Sequence, residues 1–304
     1  MDIYLPIANF SVNGFVIVLL GGLVGILSGM FGVGGGFLTT PLLIFYGIPP
    51  TVAAASASTQ VTGASISGVS AHMRRKGVDF RMGAVLVVGG LFGTLIGTAL
   101  FRFLEELGQI DTVISILYVL MLGSIGALMA KESWQSVRAL RSGKPVAARK
   151  RRHHPLVANL PMRWRFYRSG LYISPIAPFI LGLLTGILTM LLGVGGGFIM
   201  VPAMLYILGM GAQVVVGTSL FQILFVTIAS TMMHSVTTRA VDLVLAALLL
   251  IGSVTGAQLG AKFAQRMRPE YLRFALAIMV LLVAFRMMIG LGFQPSEIFT
   301  VQPF

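Results

Sequence analysis

The chain has 304 residues, of which 56% are hydrophobic and only 10% charged, with a mean hydropathy of +0.92 and 37 glycines. That balance excludes a soluble domain, which must solvate its own surface, and indicates an integral membrane protein. The net charge of +13, the absence of cysteine, and a stock of four His and nine Asp or Glu leave no thiolate chemistry and little for acid–base catalysis or metal binding.

In chain order, the first long apolar window, Phe15 to Phe37, is uncharged and ends in the heptad FGVGGGF at residues 31–37. It is long enough to cross a ~30 Å hydrocarbon core as a helix. A short apolar segment of about ten residues follows, Phe37 to Tyr46, which as a helix covers roughly half a bilayer. The next helix, Thr51 to Met73, carries Ser56, Ser58, Thr59, Gln60, Thr62, Ser65, Ser67 and Ser70, and ends at His72. The loop RRKGVDFR then supplies Arg74, Arg75, Lys76 and Arg81, with Asp79 placed to cap the next helix. Uncharged windows at Met82 to Phe101 and Thr112 to Ala130 complete the first transmembrane repeat, 1–130.

Residues 131–172 form a basic linker; eleven Lys and Arg lie between Lys131 and Arg168. Positive-inside bias places it in the cytoplasm, where anionic lipid headgroups, not nucleic acid, are its expected partners.

From residue 173 to 304 the plan repeats. GILSGMFGVGGGFLTTPLL from Gly25 lies over GILTMLLGVGGGFIMVPAM from Gly186 at a constant offset of 161, pairing Gly36 with Gly197 and Pro41 with Pro202. Downstream, ASASTQ faces VGTSLFQ, so the second polar helix carries Gln213, Thr218, Ser219, Gln222, Thr227 and Ser230. His72 faces His234, KGVDF faces RAVDL with Asp242 as the matching cap, and glycines spaced by four recur from Gly89 and in IGSVTGAQLG. No Lys or Arg precedes Arg74 or follows Arg286, so both termini are expected on the periplasmic side. Equivalent loops carry opposite charge bias: RRKGVDFR against TTRAVD, and EELGQID against AKFAQRMRPE. The halves are therefore expected to be inverted copies with an odd number of crossings each, either five or three plus a re-entrant hairpin. The fold class expected is an all-α polytopic membrane protein of two inverted repeats, each with about five hydrophobic segments and a short broken helix after GVGGG.

Inverted repeats interrupted at matching places are the signature of a secondary transporter with a midplane site. A helix restarting after GVGGG leaves backbone N–H groups unpaired, and these with the helix dipole attract an anion. Three successive glycines are too poor a helix former to serve as packing alone, whereas GLVG and GTLIG read as small-residue packing. The expected substrate-binding residues are Gly34, Gly35, Gly36, Phe37, Ser58, Thr59 and Gln60 with Gly195, Gly196, Gly197, Phe198, Thr218, Ser219 and Gln222. Gln60 and Gln222 stand out, because an amide in hydrocarbon has four hydrogen-bonding sites to satisfy. His72 and His234 are the only candidates for proton coupling. No catalytic residue, metal site or cofactor is expected, and a homo-oligomer is compatible with such a chain.

GxxxGxFGVGGGFLxxPLL, its repeat GxxxxxLGVGGGFIxVP, the Ser/Thr-rich segments, and GVDF and AVDL together resemble the TauE/SafE sulfite exporter family (TSUP). The resemblance covers nearly the whole chain outside the linker and tails. It implies transport of sulfite, sulfoacetate or a related organosulfonate, usually outward, across the bacterial inner membrane, and maps the family's glycines to Gly32, Gly34, Gly35, Gly36, Gly193, Gly195, Gly196 and Gly197. Export by alternating access is the leading expectation. A passive anion channel or an importer is the alternative within transport; a membrane-embedded enzyme or an accessory subunit ranks below both.

Overall fold

The structure, a computed structural model, describes residues 2–31, 35–74, 76–141, 161, 163–264 and 269–292. Gly32, Gly34 and most of the basic linker lie outside them. Each half opens with a two-stranded antiparallel hairpin: β1 (Asp2–Leu5) with β2 (Phe10–Asn13), and β3 (Trp164–Phe166) with β4 (Leu171–Ile173). Among the described residues, five helices follow each hairpin. The first set is α1 (Gly14–Phe31), α2 (Gly36–Phe45), α3 (Pro50–Arg74), α4 (Phe80–Glu106) and α5 (Ile110–Arg141). The second is α6 (Ile176–Leu192), α7 (Gly197–Tyr206), α8 (Ala212–Met233) continued by one π-helical turn (His234–Thr238), α9 (Leu243–Ala264) and α10 (Pro269–Gly292). The short helices α2 and α7 have ten residues each, start at the equivalent Gly36 and Gly197, and carry Pro41 and Pro202 internally.

Among the described residues, stretches of α4, α5, α9 and α10, and of α8 with its π turn, are long and apolar enough to cross a membrane. Their outer faces expose Leu95, Leu120, Leu128, Val244 and Leu282, as lipid contact requires. The polar α3 does not need such a face. Ser56, Ser58, Gln60 and Ser65 are all buried, so its polarity is turned into protein rather than lipid.

The two halves are inverted and interlocked. Equivalent helices α3 and α8 run antiparallel: Ser58 Oγ lies 3.4 Å from Ser230 Oγ, and Thr62 Oγ1 donates to Thr227 Oγ1 at 2.8 Å, so numbering rises on one helix as it falls on the other. Helix α1 packs against α9 of the other half, and α4 against α6, the equivalent pair with the halves exchanged. Both seams are made by glycine. A Cβ on Gly25 would lie 2.3 Å from the Ser253 carbonyl, and one on Gly186 would lie 2.1 Å from the Gly90 carbonyl. Between helices that are both as apolar as lipid tails, such backbone-to-backbone approach replaces the hydrophobic driving force with close packing. The expectation that the four-spaced glycines serve packing therefore holds.

The hairpins clasp the halves together. Asp79 Oδ1 caps α4 by accepting from Met82 N at 3.2 Å, while its Oδ2 accepts from Ser169 N and Oγ, at 3.0 and 2.5 Å, in the β3–β4 turn. Asp242 Oδ1 accepts from Val244 N and Leu245 N at 3.0 and 3.1 Å, and its Oδ2 accepts from Ile7 N, at 3.3 Å, in the β1–β2 turn. The backbone mirrors this: Asp79 N donates to Thr218 Oγ1 at 3.0 Å and Asp242 N to Ser56 Oγ at 3.2 Å. Each cap carboxylate thus joins its own helix to the hairpin of the opposite half.

Candidate functional site

The centre of the molecule is where α2 and α7 begin. Phe37 and Phe198, each the second residue of its short helix and equivalent at the offset of 161, stack face to face with ring centroids 4.5 Å apart and 7° between planes. Both are fully buried. Such a pair of equivalent rings marks the approximate two-fold axis between the halves.

The start of α2 meets the second glycine loop beside it. A Cβ on Gly36 would stand 2.8 Å from the Val194 carbonyl and 2.9 Å from that of Gly193, so only glycine lets α2 begin this close to that loop. In the second loop Gly193, Gly195 and Gly196 have φ of 70°, 72° and 75°, conformations that favour glycine. Gly193 ends α6 in the left-handed region, and a Cβ there would lie 2.1 Å from the Ala54 carbonyl. Tyr118 Oη and Thr40 Oγ1 hold the loop's lead-in by donating to the Leu192 carbonyl at 2.5 and 3.2 Å. The first helix bonds run back to the N-cap glycines on both sides: Leu38 N to the Gly35 carbonyl at 3.3 Å, and Ile199 N to that of Gly196 at 3.1 Å. The N–H groups at the very start of each short helix are left over by geometry.

Each buried glutamine sits with the glycine loop of its own half. Gln60 Nε2 lies 3.8 Å from where a Cβ on Gly35 would be, with Ser28 on the same flank. Gln222 Nε2 donates to Thr185 Oγ1 at 3.4 Å, and Thr185 with Thr189 flanks Gly196. Gln60 is 1% exposed and Gln222 fully buried, yet both atoms of the Gln60 amide and Oε1 of Gln222 have no hydrogen-bond partner. An unpaired buried polar atom costs about 1–3 kcal/mol, so three of them in two amides mark a place kept open for something else.

The other expected residues divide. Gly35, Gly36, Gly195, Gly196, Gly197, Phe37 and Phe198 are drawn into the centre with the two amides; Gly34 lies outside the described residues. Ser58 and Thr59 contact Ser230 and Thr231 across the α3–α8 interface and Thr218 receives Asp79 N, so these three hydroxyls join neighbouring elements, whereas Ser219 Oγ donates back to the Val216 carbonyl of its own helix. The histidines differ from each other. His72 is half-buried beside Gly217, whereas His234 is fully buried, with Nε2 donating to the Met190 carbonyl at 2.9 Å and its ring against the edge of Phe101. Ser28, Thr185 and Thr189 were not among the expected site residues. The offset of 161 that pairs Ser28 with Thr189 held the signal: a hydroxyl one turn before each glycine loop.

Electrostatically the centre is unusual. Every Lys and Arg whose side chain is described is exposed, and the buried acids Asp79 and Asp242 are spent on the caps. The arrangement offers amide and backbone N–H groups and hydroxyls but no fixed charge. Among the described residues no cluster of His, Asp or Glu could hold a metal ion.

Comparison with known proteins agrees with this architecture. A family model described as sulfite exporter TauE/SafE matches residues 17–287. The probable membrane transporter protein YjnA of Bacillus subtilis is 27% identical over 268 residues, covering 87% of this chain and 96% of that one. YunE of the same organism, also described as a probable membrane transporter protein, is 25% identical over 277 residues, covering 88% and 94%. The probable membrane transporter protein MJ0441 of Methanocaldococcus jannaschii is 24% identical over 277 residues, covering 86% and 90%. No solved structure matches.

Proposed function

Because this chain belongs to the TauE/SafE sulfite exporter family, and so to the multi-pass membrane transporters, we propose that it exports a small sulfur-containing anion, sulfite or an organosulfonate, across the bacterial inner membrane by alternating access between its inverted halves. The observation that carries this reading is the pair of buried carboxamides with unpartnered atoms beside the glycines where α2 begins against the second loop, at the pseudo-two-fold axis. Helix-start N–H groups and amide Nε2 supply donors to sulfonate oxygens, and with no fixed cation buried there among the described residues the anion leaves as readily as it enters. The two halves, each a hairpin with the helices that follow it, are the two moving bodies, and the membrane potential drives an anion outward without a dedicated coupling group. Binding measured by thermal stabilisation across sulfite, sulfate, thiosulfate, taurine and sulfoacetate tests the substrate class: sulfite or a sulfonate is expected to stabilise, and no stabilisation by any of them overturns it. Saturable uptake with counter-exchange in proteoliposomes is expected of a carrier, while flux that rises linearly with concentration would make the protein a channel.

Gln60→Leu and Gln222→Leu are each expected to weaken binding about tenfold, the loss of one good hydrogen bond to a charged group. Unchanged affinity for sulfite in both variants would remove the amides from the site.

The same reading places both termini in the periplasm and the linker 131–172 in the cytoplasm against anionic headgroups. Two contacts support a common side for each group of charges. Arg168 of the second hairpin donates to the Lys76 and Val78 carbonyls at 3.3 and 3.0 Å, joining the two basic segments, while the first hairpin meets the nearly uncharged loop at Asp242. A topology reporter fused at Thr237 is expected to read periplasmic; a cytoplasmic signal there would reverse the assignment.

A further inference from the structure

The open polar atoms at the centre restrict the substrate further than its charge does. Resting on the transport reading above, we propose that the transported species is a monoanion carrying its own hydrogen-bond donor, such as hydrogensulfite or a hydroxysulfonate, rather than a fully deprotonated oxyanion.

The unpartnered set in the two amides is one nitrogen, Gln60 Nε2, and two oxygens, Gln60 Oε1 and Gln222 Oε1. Exchanging the Gln60 amide nitrogen and oxygen leaves the same one donor and one acceptor open. Gln222 has no such freedom. The single hydroxyl hydrogen of Thr185 is engaged by the Leu181 and Gly182 carbonyls at 2.9 and 2.8 Å, so Thr185 Oγ1 can only accept and Gln222 must turn its nitrogen toward it. Two carbonyl oxygens are therefore buried with nothing to accept. An oxyanion without hydrogen satisfies the open nitrogen but confronts each of these oxygens with another lone pair. A substrate O–H or N–H removes that conflict.

Charge points the same way. With every described Lys and Arg side chain exposed, no cation repays the desolvation of a second negative charge, and the Born cost grows with the square of the charge. Sulfite dianion, sulfate and sulfoacetate dianion fail on both counts, while hydrogensulfite meets both.

The difference between the two loops gives the donor a place. At the offset of 161, Thr185 stands where the first half has Val24, which is why Gln222 has one partner and Gln60 has none. The first-half amide, open at both ends, is the one that needs a ligand able to donate and accept at once.

Two monoanions of like size separate this from the general reading: 2-hydroxyethanesulfonate, which carries a hydroxyl, and propane-1-sulfonate, which does not. On the purified full-length protein, calorimetric titration is expected to give a dissociation constant at least about tenfold lower for the hydroxylated ligand, because buried polar groups reject an analogue that leaves them unpaired. Gln60→Leu is expected to erase that ratio. Equal affinities for the two in the native protein overturn the donor requirement while leaving anion transport standing. Equal affinities that appear only when sodium is added would assign the amide oxygens to a cation and overturn it equally. Binding of neither sulfonate, nor of sulfite at any pH, sinks the transport reading itself.

Discussion

Gly35→Leu is expected to reduce anion flux in proteoliposomes to background while the protein still inserts and purifies as a folded species. The backbone permits the change: Gly35 has φ −60° and ψ −12°, an ordinary right-handed conformation for any residue. A Cβ there meets only side chains, Val24 Cγ1 at 2.9 Å and Ser28 Cβ at 3.6 Å, and Val24 can shift by a few tenths of an ångström. Gln60 Nε2 is the next neighbour, 3.8 Å from that Cβ, so a leucine side chain is expected to crowd the amide without breaking the fold. The other glycines of the motif behave differently, and this gives the test its control. Gly196→Leu must hold a leucine at φ 75°, which costs about 1–2 kcal/mol in addition to crowding Thr185. Gly193→Leu adds to that strain a Cβ 2.1 Å from a backbone carbonyl and is expected to yield no folded protein. Flux is checked against melting temperature and a monodisperse elution profile for each variant. Wild-type flux in a folded Gly35→Leu protein would sink the anion-site reading, since the amide would then be crowded and irrelevant.

The contrast among these glycines shows what the sequence could and could not reveal. A heptad recurring at an offset of 161 already implied that α2 and α7 start at equivalent residues, and the described helices begin at Gly36 and Gly197. Opposite loop charges implied inversion, and the antiparallel α3–α8 contact has that sense. Both signals are one-dimensional: a repeat is visible in the string, and charge is conferred by single residues. The hairpins were not legible for the opposite reason. WRF lies inside the basic stretch read as linker and LYI at its end, each only three residues long, and no local pattern marks them; their turn is held by Asp79, some 90 residues away. A two-stranded ribbon this short is not stable alone and exists because it is docked. Gln60 and Gln222 were legible as polarity outliers in apolar surroundings, whereas Thr185 was not, because a threonine that bonds its own helix carbonyl passes unnoticed in a membrane helix. Its importance depends on the Gln222 amide arriving from a different helix. The stacking of Phe37 on Phe198 likewise follows only once the halves are known to meet at the starts of α2 and α7.

Asp79→Ala is expected to cost about 3 kcal/mol or more of folded-state stability, the largest effect of any single polar substitution at the seam between the halves. Asp79 is 2% exposed and accepts three hydrogen bonds, from Met82 N, Ser169 N and Ser169 Oγ. Alanine removes a helix cap, worth about 1 kcal/mol, and leaves a buried backbone N–H of the hairpin without an acceptor at about 1–3 kcal/mol. The partners separate the two contributions. Ser169→Ala loses one hydroxyl bond and keeps the cap and the backbone bond, so its effect is expected to be well under half as large. Asp79→Asn keeps an acceptor for Met82 but turns an NH₂ toward the Ser169 N–H, donor against donor, and is expected to fall between them. A thermal melt of each variant and of the Asp79→Ala/Ser169→Ala pair forms a double-mutant cycle whose coupling energy reports the clasp alone. Asp242→Ala is the internal replicate, since Asp242 accepts from Val244 N and Leu245 N of its own helix and from Ile7 N in the hairpin of the other half. Because each carboxylate ties a helix of one half to the hairpin of the other, loosening it weakens the seam between the two halves. A melt of Asp79→Ala indistinguishable from wild type would show that the hairpins ride on the helices without holding them, and the halves would then be joined by their glycine seams alone.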